Sequence, residues 1–185
     1  DRWKTGCFQC PQKGEYPKSF VLDNSRNNYQ RKKAAFTGVP NLTLIVPSQW
    51  LGNLVKQSFL QEYPVEVRYN TIDTTIFKPT ESNFREKYNL LDKKIVLGVA
   101  STWTPRKGLQ DFFKLAQMLD DSYRIVLVGL NDVQMQNLPK SIIGIKRTNS
   151  PQELAEIYTA ADVFVNPTYE DNYPTVNLEA QACGT

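Results

Sequence analysis

Residues 161–185 read ADVFVNPTYEDNYPTVNLEAQACGT, and the rest of the chain makes most sense as a way of presenting them. The apolar run from Asp162 to Asn166, stopped by Pro167, predicts a short buried strand. A polar loop over 168–173 follows, with Glu170 and Asp171 side by side. Pro174 suits the first turn of a helix, where its missing N–H would be unpaired anyway. Val176, Ala180 and Cys183 then recur at spacings of four and three, which gives that helix one apolar face. Strand, acidic loop and helix make a ligand site of the kind found where parallel strands end in an open α/β sheet. The free N–H groups of the helix start favour an anion, phosphate being the commonest. Asp171 and Glu179, eight positions apart, add two carboxylates, each able to accept a pair of sugar hydroxyls. A solvated loop acid and a surface helical Glu are the plain alternative.

Upstream, the chain alternates in a way that supports the same architecture. Residues 94–100 form a continuous apolar strand, and Leu109, Phe112, Phe113, Ala116 and Leu119 recur at helical spacing after Gly108. Residues 123–129 and 142–146 read as further strands with a short helix between them. Ser150-Pro151-Gln152-Glu153 has the form of a capping box with Pro at the first helical position, and its helix would bury Leu154, Ile157, Tyr158 and Ala161. Buried strands alternating with helices argue for an α/β fold with a parallel, doubly wound, Rossmann-like sheet. Earlier, residues 24–36 predict a basic, moderately amphipathic helix, and residues 41–46 a strand closed by Pro47. Ser48 would cap a helix with Leu51, Leu54, Val55 and Phe59 on one face, and residues 65–69 would form another strand.

Between the strand at 94–100 and its helix lies Ser101-Thr102-Trp103-Thr104-Pro105-Arg106-Lys107-Gly108. Two adjacent cations at a strand end could neutralise a diphosphate and stabilise charge growing on it as a leaving group. Basic helix starts are also common on plain solvated surfaces.

The run D-N-Y-P-T-V-N-L-E-A-Q-A-C-G, from Asp171 to Gly184, resembles the signature of retaining glycosyltransferases of family 4, which have the GT-B fold. In them an acid, seven residues and Glu stand in a context like E-G-F-G-L-V-x-L-E-A-M-A-C-G. The L-E-A-x-A-C-G register puts Asp171, rather than Glu170, at the first acidic position, a departure that keeps the charge. Arg106-Lys107-Gly108 is similar to the R-K-G-like element whose Lys binds the donor diphosphate, although Ser101 or Thr102 stands where a second Arg is common. Residues 70–79, NTIDTTIFKP, look like the family's domain crossover N-G-I-D-x-x-x-F-x-P, with Thr71 in place of Gly. The resemblance covers most of 40–185 and is nearest to bacterial transferases that build extracellular or capsular polysaccharide. The cysteine-bearing opening with Tyr16-Pro17 is also similar to theirs.

The resemblance implies residues 1–75 as the terminal portion of an acceptor-side domain and 76–185 as an incomplete donor-binding domain. Arg106, Lys107 and Asp171 would be catalytic, with Arg106 and Lys107 on the diphosphate. Asp171, Asn172, Tyr173, Pro174 and Thr175 would hold the transferred sugar, and Glu179 the ribose. The loop at Arg147, Thr148 and Asn149 would face the base, with Gly129 allowing close approach. The donor would be a nucleotide sugar and the acceptor a saccharide or lipid-linked saccharide. Transfer would be with retention, the leaving diphosphate assisting deprotonation of the acceptor, without metal or other cofactor.

Composition sets further bounds. The chain has 185 residues, 41% hydrophobic and 22% charged, ordinary for a globular protein. No apolar run approaches the roughly 18 residues of a membrane span, and no signal peptide opens the chain. A cytoplasmic protein is expected, with peripheral association at the inner membrane face as a variant. Both ends look like cuts, so an internal fragment, inactive by itself, is expected. Residues 1–40 hold eight Lys and Arg against three acids, while the whole chain is net +3. That basic stretch suits anionic lipid, a diphosphate or plain solvent, and it keeps open a rival reading as a non-catalytic nucleotide- or nucleic-acid-binding module. Cys7 and Cys10 have the spacing of half a zinc site. With three cysteines and no histidine, the chain itself offers no complete tetrahedral set.

Overall fold

A computed structural model describes residues 2–14 and 22–185. Tyr16 and Pro17 of the opening stretch lie outside the described residues. The chain divides into two compact units, Asp1–Tyr69 and Asn70–Thr185.

In the first unit a 3₁₀ turn, Arg2–Lys4, precedes helix α1 (Ser25–Phe36), the predicted basic helix. No residue of α1 is buried among the described residues, and its Tyr29 ring meets Phe59 edge-on at 5.3 Å. Strand β1 (Leu44–Val46), helix α2 (Gln49–Val55) and strand β2 (Val65–Val67) form a parallel β-α-β unit, with Leu44 opposite Val65. Both strands are shorter than the sequence suggests. Asn41 has φ +57°, a left-handed conformation that starts no strand. Ser48 caps α2 as expected, its hydroxyl accepting from the Leu51 N–H at 3.1 Å. Phe59 lies past the end of α2, and the residue buried in the helix is Gly52, against Val46 and Val65.

The second unit is a four-stranded parallel sheet in the order β5-β4-β3-β6. Its strands are β3 (Lys94–Val99), β4 (Tyr123–Val128), β5 (Ile142–Ile145) and β6 (Val163–Phe164). Helices α3 (Phe84–Lys87), α4 (Leu109–Met118), α5 (Asp132–Gln136), α6 (Pro151–Ala160) and α7 (Thr175–Ala182) precede or connect them. Strand periodicity sorts the core into two layers. Ile95, Leu97, Val99, Val126 and Val128 face one side, where α6 brings Ala155, Ile157 and Tyr158 and α7 brings Ala180 and Cys183. Val96, Ala100, Ile125 and Leu127 face the other, where α4 brings Leu109 and Phe112 beside Trp103. Each fully buried large side chain of this kind contributes about 1.5–3 kcal/mol. The sheet is therefore doubly wound, as its alternating sequence predicts.

The strand expected over 162–166 is a two-residue edge strand rather than a buried one, and Val163 is exposed. Polar anchoring sets it in place. The Asp162 carboxylate accepts from the Ile95 N–H at 2.8 Å, from Arg85 at 2.6 Å and from Lys94 at 3.2 Å. Burial raises its pKa, but those three donors outweigh burial and hold the group below its ordinary value. The box at the start of α6 is also only half formed. Ser150 accepts from the Glu153 N–H at 3.1 Å, but the Glu153 carboxylate turns to the Asn149 N–H at 2.6 Å. A reciprocal box does occur at α5, where Asn131 and Gln134 cap each other.

Candidate functional site

The strand order places a crevice. From β3 the chain steps to β4 and β5 in one direction, then α6 returns it to the opposite side of β3. The connections leaving β3 and β6 therefore diverge to opposite faces, the arrangement that opens a site beyond the carboxyl ends of parallel strands. A cavity of about 640 Å³ lies there, floored by Val99, Ala100, Val128 and Gly129 at the strand ends. That volume falls in the range of small-molecule sites.

Two backbone features draw the loops over this crevice. Gly108 has φ +76°, and a side chain there would meet the Pro167 carbonyl oxygen at 2.6 Å. Only glycine lets the connection after β3 press this closely on the one after β6. The Tyr169 N–H then donates to the Arg106 carbonyl at 2.9 Å, and the Tyr169 hydroxyl to Asp111 at 2.7 Å. Gly129, at φ +97°, is needed for a similar reason, since a Cβ would stand 1.6 Å from the Ala100 carbonyl oxygen. What approaches Gly129 closely is thus the Ala100 backbone, just past the end of β3, a structural requirement beneath the cavity.

Held in this way, Lys107 and Asp171 meet across the crevice, Nζ to Oδ2 at 2.5 Å, with each side chain about 24% exposed. Burial pushes the Asp171 carboxyl up, but the Lys107 ammonium and the N–H groups of Asn172 and Tyr173 outweigh it and keep the group below its usual range. In the same cavity Glu179, on α7, accepts from the Tyr158 hydroxyl at 3.0 Å. Tyr158 is fully buried on α6, with Phe77 and Phe164 edge-on to its ring. Burial, then the charge and hydrogen bond of Glu179, push its phenol far up, so it remains a donor at any ordinary pH.

No side chain caps the start of α7, and Pro174, Thr175 and Val176 line the cavity there. The Asn70 side-chain amide donates to the Tyr173 carbonyl at 2.9 Å and fixes the last turn of that loop. The cavity thus carries the ammonium groups of Lys107 and Lys146, the Arg147 guanidinium, two carboxylates and a helix start whose first N–H groups no side chain caps. Such a set suits a ligand that is anionic at one end and rich in hydroxyls elsewhere.

Of the residues singled out from sequence, Lys107, Asp171, Tyr173, Pro174, Thr175, Glu179, Gly129, Arg147 and Thr148 line this one cavity. Arg106, Asn172 and Asn149 do not. Arg106 is exposed and takes part through its carbonyl, while Asn149 is spent on Glu153. Sequence reading missed Asn70, read only as part of a crossover, and Tyr158, read only as core. A tyrosine on an apolar helix face does signal a buried hydroxyl in need of a partner. Nothing in the sequence names that partner. Cys7 and Cys10 are free thiols, and among the described residues no group of three or more His, Cys, Asp and Glu could hold a metal ion. No helix among the described residues is long and apolar enough to cross a membrane.

A doubly wound parallel sheet with a charged crevice at its switch point is an architecture shared by many nucleotide-binding α/β proteins. Residues 80–185 match the family model for glycosyl transferases group 1, and the chain belongs to that family of GT-B, family 4 glycosyltransferases. Among curated relatives, the N,N'-diacetylbacillosaminyl-diphospho-undecaprenol alpha-1,3-N-acetylgalactosaminyltransferase of Campylobacter jejuni is 31% identical over 105 residues, 55% of this chain and 27% of that protein. The alpha-galactosylglucosyldiacylglycerol synthase of Streptococcus pneumoniae is 31% identical over 112 residues, 54% of this chain and 29% of that one. The matched stretch is thus under a third of the length of either relative. Among solved structures, sucrose-phosphate synthase from Thermosynechococcus elongatus superposes with a TM-score of 0.70 at 21% identity, over 96% of this chain and 47% of that one. Anabaena HepE in complex with UDP and glucose gives 0.60 at 18% identity, over 76% and 42%. At these identities the likeness shows the fold.

Proposed function

We propose that the cavity is the nucleotide-sugar site of a retaining glycosyltransferase, with residues 76–185 as donor-binding domain and residues 1–75 as the end of an acceptor-side domain. The observation that carries this reading is the convergence of Lys107, Asp171 and Glu179 on one cavity at the switch point of a family 4 sheet. Lys107 holds the diphosphate and stabilises the charge that develops on it as the sugar leaves. The start of α7 adds backbone N–H groups to the same charge. Asp171, with Tyr173, Pro174 and Thr175, receives the transferred sugar, Glu179 the ribose hydroxyls, and Gly129 and Thr148 border the base. Arg106 contributes long-range positive charge from outside the lining, and Asn172 and Asn149 support their loops.

The Lys107–Asp171 pair supports an order of events. Lys107 and Asp171 satisfy each other. A diphosphate competes for the ammonium and thereby releases the carboxylate to accept sugar hydroxyls. The acceptor is a saccharide or lipid-linked saccharide, a class supported by the undecaprenol and diacylglycerol in the names of the two bacterial relatives. Transfer with retention, in polysaccharide assembly at the inner membrane face, completes the reading. Because the matched stretch is under a third of either relative, we expect these 185 residues alone to bind donor weakly and to transfer nothing.

Calorimetric titration with UDP, GDP and ADP tests the site. The expected result is binding of one of them, weakened by both Lys107→Ala and Glu179→Gln. Binding unaltered in both variants contradicts the assignment.

A further inference from the structure

Tyr158 stands apart from the groups discussed so far because it never reaches the cavity, yet it grips a side chain that does. Its ring is enclosed between Phe77, at 6.3 Å, and Phe164, at 5.8 Å, and its own carbonyl accepts from the Thr185 hydroxyl at 2.6 Å. Its hydroxyl has one acceptor, Oε2 of Glu179, at 3.0 Å. Helices α6 and α7 pack side by side, so this bond joins two rigid elements. A Glu side chain has three rotatable bonds and would ordinarily sweep a wide arc. A donor fixed in the core removes most of that freedom at one oxygen of a side chain that lines the cavity. An apolar residue would fill the same space, so packing alone does not call for a hydroxyl here.

We propose that Tyr158 is a positioning residue that fixes the Glu179 carboxylate for recognition of the vicinal hydroxyls of a ribonucleoside diphosphate. The inference rests on the reading of Glu179 as the ribose contact and adds how that contact gains its selectivity. A carboxylate already aimed loses little freedom on binding, so the hydroxyls are recognised at lower entropic cost. The ligand class follows: a ribonucleotide is preferred over one lacking the 2′ and 3′ hydroxyls, and that preference depends on a phenol outside the cavity.

The test compares UDP with 2′,3′-dideoxy-UDP by calorimetry on the 185-residue chain, or the GDP or ADP pair where the chain binds that base best. Wild type, Tyr158→Phe, Glu179→Gln and the double variant are titrated with both ligands. Tyr158→Phe is expected to weaken the ribonucleotide roughly tenfold, the scale of one hydrogen bond to a charged group, and to leave the dideoxy ligand unchanged. Unchanged dideoxy binding also reports that the variant is folded. In the Glu179→Gln background the Tyr158 change is expected to cost little more. Equal weakening of both ligands by Tyr158→Phe would mean a structural role only and overturns the inference. Wild-type discrimination in Tyr158→Phe, with discrimination lost in Glu179→Gln, overturns it while sparing the ribose reading. Discrimination intact in Glu179→Gln, or no diphosphate bound by wild type, overturns the ribose reading and this inference with it.

Discussion

The cavity has two acidic groups, and the molecule treats them in opposite ways. Asp171 sits on a loop, partly exposed, and its partner Lys107 is an ion on another loop. Glu179 sits on a helix, and its partner Tyr158 is a neutral, fully buried donor on a second helix. A partly solvated ion pair is a weak bond that a competing anion can displace. The Tyr158–Glu179 bond, part-buried between packed helices, offers an incoming anion no cation to capture, and breaking it leaves the buried phenol without a partner. The first pair is therefore suited to exchange, the second to holding still. A site that must admit a diphosphate and then read a sugar needs both kinds.

The largest expected effect comes from separating the two loops that carry the exchangeable pair. Gly108→Ala imposes a left-handed backbone and a contact with the Pro167 carbonyl, and should cost about 2–4 kcal/mol in urea denaturation. Lys107→Ala leaves the fold intact and should weaken nucleoside diphosphate binding by about ten- to a hundredfold, as for a charge-assisted bond. Asp162→Asn provides the contrast, because that acid clamps the opposite ends of β3 and β6. It should lower stability by about 1–2 kcal/mol, discounted for its partial exposure, with diphosphate affinity unchanged. The smallest effect is that of pH. The folded Asp171 and Asp162 carboxyls both lie below their ordinary 3.8. Their contribution to stability is therefore complete above about pH 5 and lost as pH falls below that ordinary value. Stability that instead rose between pH 5 and pH 3 would break the assignment of both pairs.

Sequence carries the framework of this comparison further than its partners. Strand and helix periodicity sufficed for the doubly wound unit, because a two-faced sheet repeats its pattern at every strand. L-E-A-x-A-C-G fixed the register of Asp171 and Glu179, which line one cavity. Three features were not legible, for related reasons. The 158–179 and 107–171 partnerships join residues brought near only by the crossover of α6 and the closeness of Gly108 to Pro167. The strand at 162–166 reads as buried because it is apolar, yet the sheet leaves it at an edge with Val163 exposed. Arg106 shares a dipeptide with Lys107, but its 3₁₀ turn (Pro105–Lys107) sends successive side chains in different directions, and only Lys107 lines the cavity.

The most direct measurement is the affinity for UDP, or whichever nucleoside diphosphate binds best, in Asp171→Asn and Glu179→Gln side by side. Neutralising Asp171 removes a competitor for Lys107 and a repulsive charge, so the diphosphate should bind a few-fold more tightly. Neutralising Glu179 removes the proposed ribose contact, so it should bind about tenfold more weakly. Opposite signs are the account's prediction. Weakening of equal size in both variants would contradict it, because the two acids would then be playing the same part.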